Sequence, residues 1–524
     1  MDAPFPLWMV FPVIFAALYA SHFSLLRLPY YWDEAGYYIP AAWDFFRTGS
    51  LIPITTLSNA HPPLPSIYLA AWWKLSGFEP EVTREAVLLV ASFGLLAVWK
   101  LAQRIAGSGQ VAFWTVVLTA VYPIWFAQST LAQADIFAAA FTLWGLVYAL
   151  PDGDQRPAVA ALWFSAAVLS KETAIAVPMT LALITVVEGS RSTQVRAYGW
   201  RKAAWLGSCV LPLVCWYGWH YAKTGYVFGN PEFLKYNAQA NLAPARFLAA
   251  FGHRLLHLTA HMNMFVPSLL MIAALMLNPR LDRDGQERPR ISNAVLWRIF
   301  WILLTNCVLF SVLGGALLTR YLLPMYPLIL LVAVSTFSYR VPYWQALAGL
   351  SAAAFVAGLF VNPPYRFAPE DNLEYARVIR LHMAGIAQLN KHFPGSTVLS
   401  AWPVTDELSK PELGYVRTPY QIYRLEDFTT EQIERAANEP GGYSSALVFS
   451  TKYDPSSLLL SLGSKSEALD QKYFGLHHDL RPEQIALRLH GSMIWQREDH
   501  NQWIALLRFN RQFEANIRLP DPVH

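Results

Sequence analysis

Two adjacent carboxylates, Asp33 and Glu34, lie in the aromatic segment 30–38, directly after the first long apolar stretch. Partial desolvation at a membrane interface raises the pKa of a carboxylate towards the range of a general base. Adjacent helical positions point about 100° apart, so the two acids are predicted to have different catalytic roles. Tyr37 and Tyr38 are predicted to line the substrate. The alternative is an interfacial aromatic belt with solvated acids.

His61 begins the run His61-Pro62-Pro63-Leu64, which lies in the same loop. Two prolines fix a rigid turn. An imidazole in such a turn can hold a phosphate or transfer a proton near neutral pH. The alternative is a Pro-Pro pair that ends a loop before the amphipathic stretch 65–75.

Asp135 is the only acid between Glu85 and Asp152. An isolated carboxylate at the membrane edge is costly unless it is paired or used, which favours a catalytic role. A helix N-terminus would also favour an acid at this position through the macrodipole. Gln128, in the preceding turn, is predicted to line the substrate.

Further charges interrupt apolar stretches at two points. Arg320 and Tyr321 open a late apolar stretch, where a guanidinium is a good ligand for an anion or an interfacial anchor. Lys171 and Glu172 lie in the short junction between two apolar stretches, where charges usually snorkel or pair with each other, and a structural role is the favoured interpretation.

Histidines recur at intervals of four in the segment His253-Arg254…His257…His261. On a helix this spacing places them on one face. Contact with a phosphate or an acceptor, an amphipathic surface and a metal pair all remain open. No nearby acid or cysteine completes a metal set.

The composition indicates what positions these residues. Of 524 residues 54% are hydrophobic and only 15% are charged, against roughly 25% charged in soluble proteins. After residue 361 the charged fraction rises to about 23%, against about 11% before it. We therefore predict a transmembrane catalytic domain at 1–361 and a soluble α/β domain at 362–524. The net charge of +4 with no dense basic run argues against nucleic-acid binding, and the three cysteines form no CxxC motif.

Apolar stretches long enough to cross a bilayer predict a polytopic α-helical protein with about eleven transmembrane helices. Basic residues concentrate in alternate loops, whereas the loop 29–85 carries six carboxylates and three basic residues. The positive-inside rule then puts the loops 29–85 and 222–261 and the C-terminal domain on the outer face. The first stretch is interpreted as a retained anchor rather than a signal peptide. The predicted stretches are 7–28, 86–106, 111–130, 132–150, 157–170, 172–188, 203–221, 262–278, 297–317, 320–337 and 343–361.

The C-terminal domain combines helical and strand patterns. Periodicity predicts a helix over 372–392, and short apolar runs predict strands at 397–401 and 446–450. The runs 493–495 and 503–509 predict a terminal hairpin.

In this order the motifs resemble membrane glycosyltransferases of the GT-C fold, above all glycosyltransferase family 39, with its ArnT-like members and the protein O-mannosyltransferases. The resemblance covers about residues 25–335. Two departures argue against the lipid A reaction of the ArnT-like members: Gly36 replaces their arginine, and Ala60-His61-Pro62 replaces their Glu-Lys-Pro. The matching segments are Asp33-Glu34 with Tyr37, His61 to Leu64, Gln128 to Asp135, Leu169 to Glu172 and Arg320 to Pro324.

The resemblance implies transfer of a hexose or pentose from a polyprenyl monophosphate to an acceptor hydroxyl, with inversion. Asp33 would be the general base, and Asp135 would orient the base or the acceptor. The donor phosphate would contact Arg320, Tyr321, His61, His253, Arg254 and His257.

The resemblance also implies an integral membrane protein, in bacteria of the inner membrane, that meets a lipid, glycan or protein acceptor. The donor sugar, the acceptor and any divalent metal remain open. Two other functions are compatible with the composition. One is a transporter or flippase without covalent chemistry, and the other is an assembly subunit that binds a partner.

Overall fold

The computed structural model describes residues 7–58, 60–152, 155–189, 193–229, 243–281, 285–313, 317–438, 442–453 and 471–509. The chain divides into two compact units. The first, here called the membrane unit, comprises Met1–Ala376 and Ser457–Gly475. The second, the C-terminal unit, comprises Arg377–Ser456 and Leu476–His524.

Helices form nearly all the regular structure described in the membrane unit. Short 3₁₀ or π turns join several of them, at Phe23–Leu25, Glu34–Tyr38, Glu172–Ile175, His261–Asn263, Thr319–Met325 and Pro369–Asp371. The α-helices are Leu7–His22, Ile39–Thr48, Leu64–Ser76, Pro80–Ala106, Gly109–Val121, Pro123–Gln128, Ala134–Ala149, Pro157–Ser170, Ala176–Gly189, Thr193–Gly207, Val210–Thr224, Pro244–Thr259, Phe265–Leu275, Asn293–Val312, Tyr326–Arg340 and Gln345–Phe360.

Within the described residues, five helical segments are long and apolar enough to cross a membrane. A sixth crossing would be a pair of helices bent by 99°, Pro244–Asn263 and Phe265–Leu275. The polytopic α-helical membrane class predicted from the sequence is thereby confirmed, whereas the number of eleven spans stays a prediction. The five segments are Trp8–Leu25, Pro80–Ala106, Glu172–Gly189, Asn293–Val312 and Thr319–Arg340.

Several predicted stretches are broken in the structure, among them 203–221, where the helix Thr193–Gly207 ends before Val210–Thr224 begins. The stretch 111–130 divides at Pro123, because the residue before a proline is forced out of the helical region, and Tyr122 is extended with ψ 124°. The stretch 262–278 begins at the bend of the sixth pair, where Met262 takes the left-handed conformation with φ 48°.

Proline and glycine fix the helices that position the charged residues. Pro80 starts the longest helix, and Gly107 ends it in the left-handed conformation. This helix packs against Ala134–Ala149, which begins with the turn that carries Asp135. Gly145 lets that helix approach its neighbour Pro157–Ser170, because a Cβ there would overlap the Phe164 ring.

The C-terminal unit holds a five-stranded sheet in the order β2-β1-β3-β5-β4. Strand β1 (Thr397–Ala401) pairs in parallel with β2 (Gln421–Leu425) and β3 (Ser445–Phe449). Strands β4 (Gly491–Asp499) and β5 (Gln502–Phe509) form the predicted hairpin, and β5 pairs antiparallel with β3.

Alternation of strands with helices confirms the predicted α/β class. The predicted strands β1 and β3 are both present, whereas β2 was missed because Arg424 interrupts its apolar pattern at the sheet edge. Leu399, Leu447 and Ile504 are fully buried in the core of this unit. Its helices are Glu374–His392, which crosses from the membrane unit, Val404–Ser409, Thr430–Asn438 and Pro482–Arg488, with a 3₁₀ turn at Pro411–Leu413.

Candidate active site

Arg320 lies at the centre of a charged cluster in the membrane unit. It sits in the 3₁₀ turn Thr319–Met325, which precedes a membrane helix, and its side chain is buried. Its guanidinium pairs with Asp33, whose side chain is 22% exposed. The residue before Asp33, Trp32, has a φ of 47°. A non-glycine residue in that region costs roughly 1–3 kcal/mol, and such strain is concentrated at functional sites.

Asp135 joins the same cluster from the first turn of Ala134–Ala149. One carboxylate oxygen lies 3.3 Å from Nε of Arg320, and the other accepts a hydrogen bond of 2.6 Å from Nζ of Lys171. The Lys171 ammonium also lies 4.1 Å from the centre of the Tyr321 ring, in a cation–π contact. The cluster therefore contains two cations.

A second acidic pair, Glu370-Asp371, completes the cluster. Glu370 pairs with the Arg320 guanidinium and accepts a hydrogen bond of 2.9 Å from Nε2 of Gln133. Burial raises the pKa of Glu370 to about 7, Arg320 opposes the rise, and the negative charge of Asp33 adds to it. Glu370 and Asp371 follow the last described apolar helix, much as Asp33 and Glu34 follow the first.

Asp371 holds the residue next to Arg320. Its two oxygens accept a hydrogen bond from the Thr319 hydroxyl and contact Nε2 of His261 at 2.9 Å. The other ring nitrogen of His261 lies 3.0 Å from the Tyr365 hydroxyl. The Thr319 carbonyl accepts a further bond of 3.0 Å from Tyr326. The backbone that carries Arg320 is therefore fixed from several sides.

A cleft of about 320 Å³ opens beside the cluster. A cleft with an ammonium and a guanidinium in its wall suits an anion such as a phosphate, because both groups donate charge-assisted hydrogen bonds. Its lining includes Asp135, Lys171, Asn306, Phe310, Arg320 and Tyr321.

A second cleft, of about 510 Å³, is lined by aromatic rings. Tyr37, Tyr38 and Trp216 contribute to its wall together with His61, whose ring stacks on that of Tyr38. Nδ1 of His61 lies 2.9 Å from the Glu172 carboxylate. Burial raises the pKa of Tyr38 well above its usual value, and the negative charge of Asp135 adds to the effect. The charge of Asp135, which belongs to the Arg320 cluster, therefore acts on the Tyr38 hydroxyl in the second cleft.

Glu34 takes no part in either cleft, which differs from the catalytic role predicted for it. Its side chain is 0% exposed. It accepts hydrogen bonds from the backbone of Tyr31 (2.9 Å) and Ala132 (2.6 Å) and pairs with Arg84 at 3.4 Å. Because the backbone turns Asp33 and Glu34 in different directions, only Asp33 reaches the Arg320 cluster. The structure gives Glu34 a structural function that joins the first loop to the turn before Asp135.

Other predicted site residues are distributed differently. Gln128, predicted to line the substrate, is fully buried, and its amide has no hydrogen-bond partner within the part of the chain described. Arg254, predicted to bind phosphate, is also buried, and it donates to the carbonyls of Leu318 (2.7 Å) and Phe310 (3.4 Å). It thereby supports the segment that leads to Arg320.

The histidines do share one face, as their spacing predicted. The ring centres of His253 and His257 are 6.3 Å apart, and those of His257 and His261 are 5.4 Å apart. His253 is exposed and packs against Phe474. Among the residues described, no group of three or more histidine, cysteine, aspartate or glutamate side chains is arranged to hold a metal ion.

Sequence reasoning missed Lys171, Glu370 and Asp371 as members of the site. The sequence favoured a structural role for Lys171, by snorkelling or by pairing with Glu172, yet its ammonium contacts Asp135 in the cluster. A lone lysine between two apolar helices was the available signal. For Glu370-Asp371 the signal was its position as an acidic pair after the last apolar stretch, the counterpart of the pair after the first.

Part of the chain matches a known protein family. Residues 60–216 match the family model described as dolichyl-phosphate-mannose-protein mannosyltransferase. This segment contains His61, Asp135 and Lys171. No curated protein sequence matches the chain significantly.

Two solved structures resemble the chain over nearly its whole length. The apo crystal structure of ArnT from Cupriavidus metallidurans is 14% identical, with a TM-score of 0.53, and the match covers 94% of this chain and 97% of that one. The structure of the same protein bound to undecaprenyl phosphate is 16% identical, with a TM-score of 0.50, and the match covers 95% of this chain and 98% of that one.

The chain is an integral membrane protein with the GT-C fold. Its resemblance to the GT-C glycosyltransferases of family 39, first indicated by the ordered motifs, is confirmed by the family match and by the fold.

Proposed function

We propose that this chain is a glycosyltransferase that moves a sugar from a polyprenyl-monophosphate carrier to an acceptor hydroxyl. One observation carries the proposal: the partly exposed Asp33 carboxylate and the cleft lined by Arg320 and Lys171 belong to one charged cluster. Transfer of a sugar from a phosphate leaving group requires a base that accepts the proton of the hydroxyl, and adjacent cations that stabilise the charge on the phosphate. The family match and the undecaprenyl phosphate bound to the ArnT structure support the same chemistry.

In the proposed step Asp33 accepts the proton of the acceptor hydroxyl. The acceptor oxygen forms a bond to the anomeric carbon from the side opposite the phosphate. The bond between that carbon and the phosphate oxygen breaks, and its electron pair stays on the phosphate. Attack from the opposite side inverts the configuration at the anomeric carbon.

Arg320 and Lys171 would stabilise the charge that develops on the leaving phosphate. Both are buried, and an ion pair in a low-dielectric site is far stronger than one in water. Because Arg320 also pairs with Asp33, a phosphate that attracts the guanidinium would weaken its hold on the base. Donor binding would thus prepare Asp33 to accept a proton.

The remaining side chains would act around these three. Asp135 would orient Lys171 and Arg320, which it contacts directly. Tyr321 would support the phosphate site through its contact with Lys171. His61, in the aromatic cleft beside Tyr38, would contact the acceptor or the sugar.

The rings of His253, His257 and His261 are consecutive neighbours on one face. His253 and His257 would contact the phosphate of the lipid-linked donor as it enters the site. The site is proposed to face the outer side of the membrane, in bacteria that of the inner membrane, with the C-terminal domain on the same side.

Reconstitution in liposomes tests the proposal directly. Wild-type protein should transfer labelled sugar from a polyprenyl-phosphate donor to the acceptor, whereas Asp33→Asn should lose about 10²- to 10⁴-fold in kcat, the usual contribution of a general base. Asp33→Glu, which keeps the carboxylate, should recover part of the rate. Full activity of folded Asp33→Asn would overturn the assignment of the base. Counterflow of the lipid-linked sugar without a covalent product would identify a transporter instead.

A further inference from the structure

Three carboxylates converge on the single guanidinium of Arg320. Asp33, Asp135 and Glu370 reach it from three separate segments of the membrane unit. Lys171 is the second cation, and it contacts Asp135. If these five groups are all ionised, three negative charges face two positive ones, and their net charge is −1. Asp371, which also belongs to the cluster, adds a further negative charge. This excess of negative charge would repel the anionic phosphate that the proposed function brings to the adjacent cleft.

The geometry selects the carboxylate that can relieve this repulsion. Asp33 is partly exposed, so water stabilises its charge. Asp135 has two cationic neighbours, Lys171 and Arg320. Glu370 is only 4% exposed, and Arg320, the one cation paired with it among the described residues, is shared with the other two acids. Protonation therefore costs the least at Glu370.

Several other charged or titratable groups surround Glu370. Its pKa responds to Arg320, Asp33 and Asp371, and Gln133 donates a neutral hydrogen bond to it. His261 contacts the neighbouring Asp371 at 2.9 Å. Asp135 and Lys171 complete the charged surroundings through Arg320.

We propose that Glu370 takes up one proton when the phosphate of the lipid-linked substrate binds beside Arg320, so that substrate binding is linked to pH. Protonation removes one negative charge from the cluster and frees one side of the guanidinium for the phosphate. Glu370 is thus a positioning residue that acts through Arg320. The inference rests on the proposed function, because it takes the bound anion to be a lipid-borne phosphate.

The direction of the pH effect follows from linkage. Burial raises the pKa of Glu370 to about 7, so the group is mostly protonated at pH 6 and mostly ionised at pH 8. Binding of an anion raises that pKa further. Affinity for the anion is therefore high below pH 7 and decreases by up to about tenfold per pH unit above it.

Isothermal titration calorimetry on the full-length protein in detergent tests this. The probe is a short-chain polyprenyl methyl phosphodiester, whose single negative charge does not titrate between pH 6 and pH 9. Titration at pH 8 in two buffers of different ionisation enthalpy measures the number of protons taken up. We expect nearly one proton per bound probe and an affinity about tenfold lower at pH 8.5 than at pH 7.5.

Variants assign the proton to its residue. Glu370→Gln is expected to bind the probe with almost no proton uptake and with an affinity that varies little with pH. Glu79→Gln, which removes a negative charge from the loop 29–85 outside the cluster, should keep the full pH dependence of probe affinity. Wild-type protein that binds without proton uptake would overturn the inference, and so would folded Glu370→Gln with an unchanged pH dependence, which would assign the proton to another group.

Failure of the proposed function gives a different result. If the site does not bind a lipid-borne phosphate, the wild-type protein shows no saturable binding of the probe at any pH, and Arg320→Gln has no effect. Both the proposed function and the inference would then be overturned. Binding that Arg320→Gln abolishes, without proton uptake in the wild type, would overturn the inference alone.

Discussion

Asp33 and Glu34 are neighbours in the chain, yet their two guanidinium partners give them opposite properties. Glu34 is fully enclosed, and Arg84 beside it also donates to the carbonyls of Leu28, Pro29 and Thr130. Asp33 is partly exposed, and its partner Arg320 is shared with two other carboxylates. The pair at Glu34 is sealed, whereas the cluster at Asp33 borders a cleft.

The difference shows how the same two side-chain types produce either rigidity or chemistry. Around Arg84 the donors and acceptors match, so the pair has little to gain from any new ligand. Around Arg320 the acids outnumber the cations, and one of them reaches solvent. Because three carboxylates share the guanidinium of Arg320 beside a cleft, this cation can exchange one carboxylate for an anionic substrate. Competition among partners is the feature that distinguishes the candidate site from the structural ion pair.

The largest effect is expected from breaking the sealed pair. Arg84→Met leaves the Glu34 carboxylate buried without a cation, and loss of one partner of a buried pair costs about 3–5 kcal/mol. Thermal melting in detergent should show a large loss of stability. The protein that remains folded should transfer sugar at a rate close to that of wild type.

The variant Glu34→Gln with Arg84→Met is the matched control. It removes both charges and should recover part of the lost stability, since a buried pair replaced by neutral groups is often neutral in effect. A single variant with unchanged melting would contradict the structural assignment of Glu34.

A smaller effect, on substrate binding rather than stability, is expected at Lys171. Lys171→Met removes one of the two cations that line the cleft, and a charged hydrogen bond contributes about 1.5–3 kcal/mol. The KM for the lipid-linked donor should rise about 10- to 150-fold. Lys171→Arg, which keeps the positive charge, should restore much of the affinity. An unchanged KM in Lys171→Met would remove Lys171 from the phosphate site.

The smallest effect is expected at the exposed pair between Arg27 and Glu81, of which Glu81 lies in the loop 29–85 that also holds Asp33. An exposed ion pair contributes about 0–1 kcal/mol, so Glu81→Gln should leave both melting and transfer nearly unchanged. This variant is the baseline for the other two. A strong loss of transfer in Glu81→Gln would show that acids of this loop matter through their overall charge, and would weaken the distinction between Asp33 and its neighbours.

The sequence by itself determined the class of the protein and the types of residue in the site. Long apolar stretches specify membrane helices because backbone groups in hydrocarbon must be paired within the segment. The positive-inside rule predicted the outer face for the loop that carries Asp33, and the structure brings Asp33, Asp135 and Arg320 together. Strand periodicity also predicted the terminal hairpin of the C-terminal unit.

Only the tertiary structure decided which charges pair. Asp33 and Arg320 are 287 positions apart, and Glu370 and Arg320 are 50 apart, so no local pattern links them. Lys171 could have paired with Glu172 beside it, but helix packing directs it to Asp135. The separation of Asp33 from Glu34 likewise depends on the backbone turn at Trp32 and on the burial of Arg84. The physical reason is that charge pairing depends on distance and burial in the folded chain, and the sequence specifies these only through the packing of all its helices together.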